Sequence, residues 1–281
     1  MSQRRTSRSR PAGRKRPNYA LRRIMALLVV ILAFALVSRL VAGVVSLFDS
    51  GGTALSQVHG PSSAPSTKPP PIPPPDCALG QRFAPFHGYD EWQLTFLDTN
   101  YRLRKAYSPP GLQPISKAGF KGSLLVRKEL IQDLAALRKA AAANDTPIDV
   151  VAAYRSYSEQ ASLFERRKDQ LGSQGALDKT ARAGHSEHQL GTAVDFKTEG
   201  QRDVTAKWDQ SPTGSWMREN AWRFGFAQGY PKGKQAVTCY GYEPWHYRYF
   251  GRTLADEIHR SGLTVREFLW NEQHRGGSPI P

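Results

Sequence analysis

One stretch of the chain is apolar almost without a break. Residues 24–48 are interrupted only by Ser38, Arg39 and Ser46, and these 25 residues suffice for a helix across a bilayer. Further along, apolar positions come in shorter periodic groups. Leu130, Ile131, Leu134 and Leu137 recur at helical spacing and predict an amphipathic helix over 127–143. Residues 147–154 (Pro-Ile-Asp-Val-Val-Ala-Ala-Tyr) read as a strand. Ser156 and Glu159 then form a capping-box pattern that opens a helix running to about Leu171. Arg155 therefore falls at a strand-to-helix junction, where a side chain can face a cleft. Residues 215–224 predict another helix, stopped by Gly225, and two more are expected over 253–260 and 265–273. Helices and short strands follow one another unevenly, without repeating βαβ units, so the class is α+β. Residues 77–281 are enough for one domain.

The charges change the picture at the N-terminus. Residues 1–23 carry nine Arg and Lys and no acid. A basic flank before an apolar span keeps that flank in the cytoplasm and sends everything after residue 48 outside. Arg39 costs roughly 2.5–3.5 kcal/mol inside a span on insertion scales, and it lies toward the outer part, where it can snorkel. A cleaved signal peptide is the rival reading, but the run exceeds the usual apolar core of about 7–15 residues and no Ala-x-Ala site follows. The expectation is an uncleaved single-pass anchor with the domain outside the cell. Of the formal net charge of +15, the tail accounts for nine, leaving +6 for the remainder. The main basic cluster is thus explained by topology and anionic lipid, and nucleic-acid binding is not expected. Residues 49–76, rich in Gly, Ser and Pro, read as a linker ending in polyproline II. Fully extended, its 28 residues would reach about 85 Å at ~3.1 Å per residue.

Candidate chemistry lies in two segments. The run from His185 to Phe196 reads His-Ser-Glu-His-Gln-Leu-Gly-Thr-Ala-Val-Asp-Phe, and Glu-Pro-Trp-His follows at 243–246. His188, Asp195 and His246 offer two imidazoles and a carboxylate. That set leaves a fourth tetrahedral position of Zn²⁺ open, the feature that separates catalytic from structural sites. Glu243 is a spare carboxylate beside it, able to accept a proton from water. Residues seven apart point to opposite faces of a continuous strand, so His188 and Asp195 can meet only if the chain bends between them. Gly191 is the natural bend, followed by a short buried strand over 192–196. Pro244 argues against a regular ladder, which places Glu243 in a turn and opens a strand over 245–250. His185 competes with His188 as a ligand.

These residues carry a resemblance. Ser186-x-His188-x-x-Gly191-x-Ala193-x-Asp195 followed by Glu243-x-x-His246 resembles the signature of the LAS metallopeptidases, named for lysostaphin, D-Ala-D-Ala peptidases and sonic hedgehog. Within that group it is similar to the VanY-type D-alanyl-D-alanine carboxypeptidases. Tyr154-Arg155-Ser156, Gln160 and the segment from Trp216 to Phe226 extend the likeness over roughly 120–250. The resemblance implies His188, Asp195 and His246 as ligands of one zinc ion, with Glu243 as catalytic base. It implies Arg155 and Ser186 as substrate contacts, and His185 then becomes an outer or solvated residue. The fold it implies is a small, mostly antiparallel sheet carrying the zinc, with flanking helices. Gln160 is a further candidate for binding peptide, with a solvated position on its helix as the alternative. Arg155 can pair with a terminal carboxylate or stabilise an oxyanion, and the residues do not choose between these.

The implied substrate is a peptidoglycan stem peptide ending in D-Ala-D-Ala, cut by a monomeric enzyme. The same site serves an L,D-carboxypeptidase or a peptidoglycan endopeptidase. A non-catalytic zinc-bearing module that only binds wall is the reading from a different class, and Glu243 argues against it. Cys77 and Cys239, the only cysteines, both fall outside the membrane on this topology and are a candidate disulfide, with two free thiols as the alternative.

Overall fold

The computed structural model describes residues 70–202 and 204–274. The expected tail, the anchor at 24–48 and most of the linker lie outside the described residues. Among the described residues no helix is long and apolar enough to cross a membrane.

The strands, in order, are β1 (Arg82–Phe83), β2 (Tyr101–Arg102), β3 (Leu112–Pro114), β4 (Leu125–Arg127), β5 (Ile148–Ala152), β6 (Ala193–Thr198), β7 (Phe226–Tyr230) and β8 (Glu243–Tyr249). The α-helices are α1 (Ile131–Ala143), α2 (Tyr157–Lys179), α3 (Pro212–Asn220), α4 (Gln235–Thr238), α5 (Arg252–Ser261) and α6 (Val265–His274). Strands β5 to β8 form one antiparallel sheet in the order β5-β6-β8-β7. The pairs β1-β2 (parallel) and β3-β4 (antiparallel) are separate two-stranded ribbons. The α+β class and the small antiparallel sheet agree with expectation.

Two apolar cores flank the sheet. Leu134, Leu137 and Ala141 on α1 are fully buried, as their helical spacing requires, and pack with Ile148, Val194, Phe196, Phe226 and Tyr247 of the sheet and Met217 of α3. Burying each such leucine contributes roughly 1.5–3 kcal/mol. The second core joins Leu254 and Ile258 of α5 to Phe268 and Leu269 of α6, with Phe250 and Ala227. Successive β7 residues, Phe226 and Ala227, belong to different cores, as the alternation of a strand dictates.

Several boundaries differ from the sequence reading, each for a physical reason. Arg127 does not open a helix. It ends β4, buried, with Nε donating to Leu190 O at 2.8 Å and Nη2 to the Tyr107 hydroxyl at 2.8 Å, and α1 starts after a short 3-10 turn. The capping box is present: Glu159 N–H donates to Ser156 Oγ at 3.3 Å and Ser156 N–H to Glu159 Oε2 at 2.8 Å. Gly172, at φ 73°, breaks helical geometry one residue past the expected stop, and a second helical piece continues to Lys179. Pro244 lies inside β8, correcting the turn expected at Glu243. It is tolerated because β6 pairs with β8 only as far as His246, so no β6 residue faces the missing N–H. The end of the expected linker is also held. Ile72 N–H donates to Asn271 Oδ1 (2.8 Å), Asn271 Nδ2 donates back to Ile72 O (3.0 Å), and Arg266 Nη2 donates to Pro75 O (2.9 Å). Cys77 and Cys239 are joined as a disulfide, with Cα atoms 5.3 Å apart.

Candidate metal centre and cleft

Strands β6 and β8 lie side by side with Asp195 directly opposite His246, so the two side chains share a face. Asp195 Oδ1 is 2.9 Å from His246 Nδ1. His188 comes from the loop before β6. The Ser186 hydroxyl accepts from the His188 N–H at 3.3 Å and caps the 3-10 turn Glu187–Leu190. Gly191, at φ 74°, ends that turn; a side chain there would strain the backbone and press on Pro109 and Arg127. The reversal sets His188 Nε2 3.3 Å from Asp195 Oδ2. One donor atom from each of His188, Asp195 and His246 lies within 4.8 Å of the others. The bend expected at Gly191 is therefore the feature that closes the trio.

Glu243 and His246, three apart on one strand, also converge. The two steps from Gln228 to Tyr230 on β7 lie opposite the four from Tyr247 to Glu243 on β8, and this bulge turns Glu243 toward His246. Glu243 Oε2 is 3.9 Å from His246 Nδ1. Arg155 stands in the same cleft. Its backbone N–H donates to His188 O at 3.2 Å, and its Nη1 donates to Gln160 Oε1 at 2.7 Å. Together with Ser186, Trp245, Tyr230 and Tyr240 they line a cavity of about 180 Å³.

Electrostatics follow from burial and neighbours. Burial pushes the Glu243 carboxyl up to about 7, with Asp195 and Glu187 reinforcing and His246 and Arg155 opposing. A carboxylate so placed titrates near neutrality, where a general base works best. Asp195 is held well below the usual carboxylate range because the His188 and His246 imidazoles outweigh its burial. Burial lowers His188. It would lower His246 too, but hydrogen bonds with Asp195 and Glu187 lift that imidazole to about 10. Burial also lowers Arg155, countered by Asp195 and Glu243.

The donor set suits a zinc ion. Each histidine has its remote ring nitrogen engaged: His188 Nδ1 with Ala153 O at 2.6 Å, and His246 Nε2 with Glu187 Oε2 at 3.0 Å. That leaves one nitrogen of each turned toward Asp195, the arrangement expected of histidines that bind metal.

Around the trio, other residues take these places. Gln160 is buried rather than solvated: 1% exposed, it lines the cleft with its carbonyl accepting from Arg155 and its amide donating to Ala181 O. His185 is buried away from the trio, with Nδ1 2.8 Å from Asp98 O. Trp245 packs partly against the core and lines the cleft. Missed altogether were Tyr230, whose ring lies 4.8 Å from that of His246, and Glu187, which sits inside the motif between Ser186 and His188. Glu187 also meets Arg248 at 2.8 Å. Burial alone would raise its carboxyl, but Arg248 and His246 hold it at about 2.

Residues 123–252 match the family model of VanY, D-alanyl-D-alanine carboxypeptidase. Residues 123–252 form a domain of this family. The chain is 32% identical over 181 residues to the putative carboxypeptidase YodJ of Bacillus subtilis (strain 168), covering 63% of this chain and 66% of that one. It superposes on the LdcB LD-carboxypeptidase with a TM-score of 0.59 at 28% identity, covering 69% of this chain and 98% of LdcB. It also superposes on a mutant of the VanY D,D-pentapeptidase from a VanB-type resistance cassette, solved with Zn(II), with a TM-score of 0.55 at 28% identity. That match covers 63% of this chain and 99% of the pentapeptidase. The chain spans between 34% and 66% of the lengths of three curated relatives that it matches at 32–33% identity.

Proposed function

We propose that this chain is a zinc carboxypeptidase that removes the terminal D-Ala from peptidoglycan stem peptides. The observation that carries the reading is the convergence of His188, Asp195 and His246 with a second carboxylate, Glu243, in a cleft that also holds Arg155. His188, Asp195 and His246 would hold the ion. Bound zinc supplies Lewis acidity, lowering the pKa of water and polarising a carbonyl. Glu243 accepts the proton of the attacking water and returns it to the departing amine. Arg155, kept in place by Gln160, pairs with the substrate's terminal carboxylate or with the developing oxyanion. Ser186, at the cavity wall, offers its hydroxyl to the terminal residue. The basic tail and apolar run at 1–48 support an anchor that leaves this domain outside the cell at the wall, and an oxidising exterior suits the Cys77–Cys239 bond. The likeness to the LdcB LD-carboxypeptidase supports a second reading, trimming of tetrapeptide stems.

The test is Glu243→Ala, which removes the base and no ligand. Zinc content and peptide affinity should stay near wild type while kcat falls about 10²-fold or more. Unchanged kcat would sink the mechanism. Wild-type turnover of a pentapeptide against a tetrapeptide decides between D,D and L,D specificity. Binding of both without cleavage would favour a wall-binding module.

A further inference from the structure

Among the described residues, Glu187 is a buried carboxylate beside the metal trio to which neither the ligand set nor the catalytic base gives a role. It is 4% exposed, and its two oxygens go to different partners. Oε1 accepts from Arg248 Nη1 at 2.8 Å, and Oε2 lies 3.0 Å from His246 Nε2, the ring nitrogen turned away from Asp195. Arg248 is fully buried and follows His246 by two on β8, so the two side chains leave the strand on the same face. Arg248 cannot drift, because its Nη2 donates to Trp92 O and Thr95 O, both at 2.8 Å. Space around the pair is equally restricted. A Cβ at Gly229 would lie 2.8 Å from His246 Cδ2 and 3.4 Å from Glu187 Oε2, so the ring and carboxylate pack directly on bare backbone. The Tyr230 ring covers the imidazole, 4.8 Å between centroids.

A buried ion pair is weak evidence of stabilisation, since well-packed apolar residues often serve as well. Here the carboxylate does something that apolar residues could not. An imidazole that gives one nitrogen to a metal ion keeps its single N–H on the other, and an acceptor placed there fixes the ring. With Nδ1 on the side of Asp195 (2.9 Å), the proton left on His246 Nε2 would face the Glu187 carboxylate, which Arg248 fixes in place. His188 has only the neutral carbonyl of Ala153 in the equivalent place.

We propose that Glu187 is a positioning residue of the metal centre: clamped by Arg248, it holds the Nε2 proton of His246 and so presents Nδ1 as the donor to the ion. This rests on the zinc-site reading above. Two measurements test it. In the first, zinc affinity of the full chain is measured by competition with a chromophoric chelator, without any activity assay. Glu187→Gln should weaken zinc binding about 10- to 100-fold, and Glu187→Asp should recover part of that loss. Asp98→Asn, which disturbs a buried arginine pair away from the site, should leave zinc affinity unchanged at a temperature where it is folded. Wild-type affinity in Glu187→Gln overturns the proposal, as does an equal loss in Asp98→Asn. In the second, the ring nitrogens of His246 are read in the ¹H–¹⁵N spectrum of the zinc-loaded wild-type protein, where no variant need fold. Protonated Nε2 with metal-shifted Nδ1 is the expected result, and the reverse assignment overturns the proposal. If the wild type takes up no zinc at all, it is the zinc-site reading that fails.

Discussion

Arg248 and Arg266 are built alike and serve different ends. Each is buried, each pairs with a buried carboxylate at 2.7–2.8 Å, and each also donates to backbone carbonyls. Arg248 takes Glu187 with the carbonyls of Trp92 and Thr95; Arg266 takes Asp98 with those of Val237 and Pro75. The difference lies in the other oxygen of each carboxylate. That of Glu187 meets a ring nitrogen of His246. That of Asp98 accepts from the backbone N–H groups of Asn100 (2.7 Å) and Tyr101 (2.8 Å). One pair therefore ends at the candidate metal centre and the other at a turn that holds the N-terminal segment. A buried arginine–carboxylate pair is neutral as evidence of function; the partner of its free oxygen decides.

Breaking the Asp98 side should cost the fold and spare the chemistry. The largest effect is expected from Asp98→Ala, which leaves the Arg266 guanidinium buried without its counter-charge. Urea titration should show a loss of about 3–5 kcal/mol, with the zinc content of the folded fraction unchanged. Zinc loss in folded Asp98→Ala would show that the two pairs are not separate. Cys77→Ser acts on the same clasp. Its bond to Cys239 closes a sequence separation of 162, and losing it should cost about 2–4 kcal/mol, read as a lower Tm, with peptidase activity retained below the transition. The smallest effect comes from His185, whose Nδ1 meets Asp98 O. Burial lowers this imidazole from 6.5 to about 4. As pH falls through 6.5 the unfolded chain takes up a proton that the folded chain refuses until about 4, so stability is full above that range and declines through it. Between pH 7 and 5.5 the loss due to this group is about 1 kcal/mol. His185→Gln should flatten the urea-midpoint profile over that interval, and an unchanged slope would remove His185 from the account.

The site was far more legible in the sequence than its supports. His188, Gly191, Asp195, Glu243 and His246 announce themselves because metal-binding side chains and the glycine that lets them meet are constrained in type and spacing. The α1 stripe and the Ser156 cap were legible for similar reasons, since each rests on residues three to four apart. Glu187 lay in plain view within the motif, yet its partners are 59 and 61 residues away, and no local pattern joins them. Asp98 and Arg266, 168 apart, were invisible for the same reason. The burial of Gln160 was not legible, because an amide on a helix gives no sign of which face will be covered. Pro244 misled in a more specific way: a proline argues against a central strand, but not against the end of one that its neighbour on that side has already left.

The disulfide shortens the molecule in a sense that matters under load. Along the backbone, Cys77 is far from the proposed base; through the sulfur bridge it stands four residues from Glu243. A pull on the chain ahead of Cys77 is first resisted by the Asn271 and Arg266 contacts with Ile72 and Pro75. It then crosses the bridge to the approach to β8. Tension delivered that way bypasses β5, α2, the His188 turn and β6, which remain a closed loop that cannot be drawn out end to end while the bond lasts.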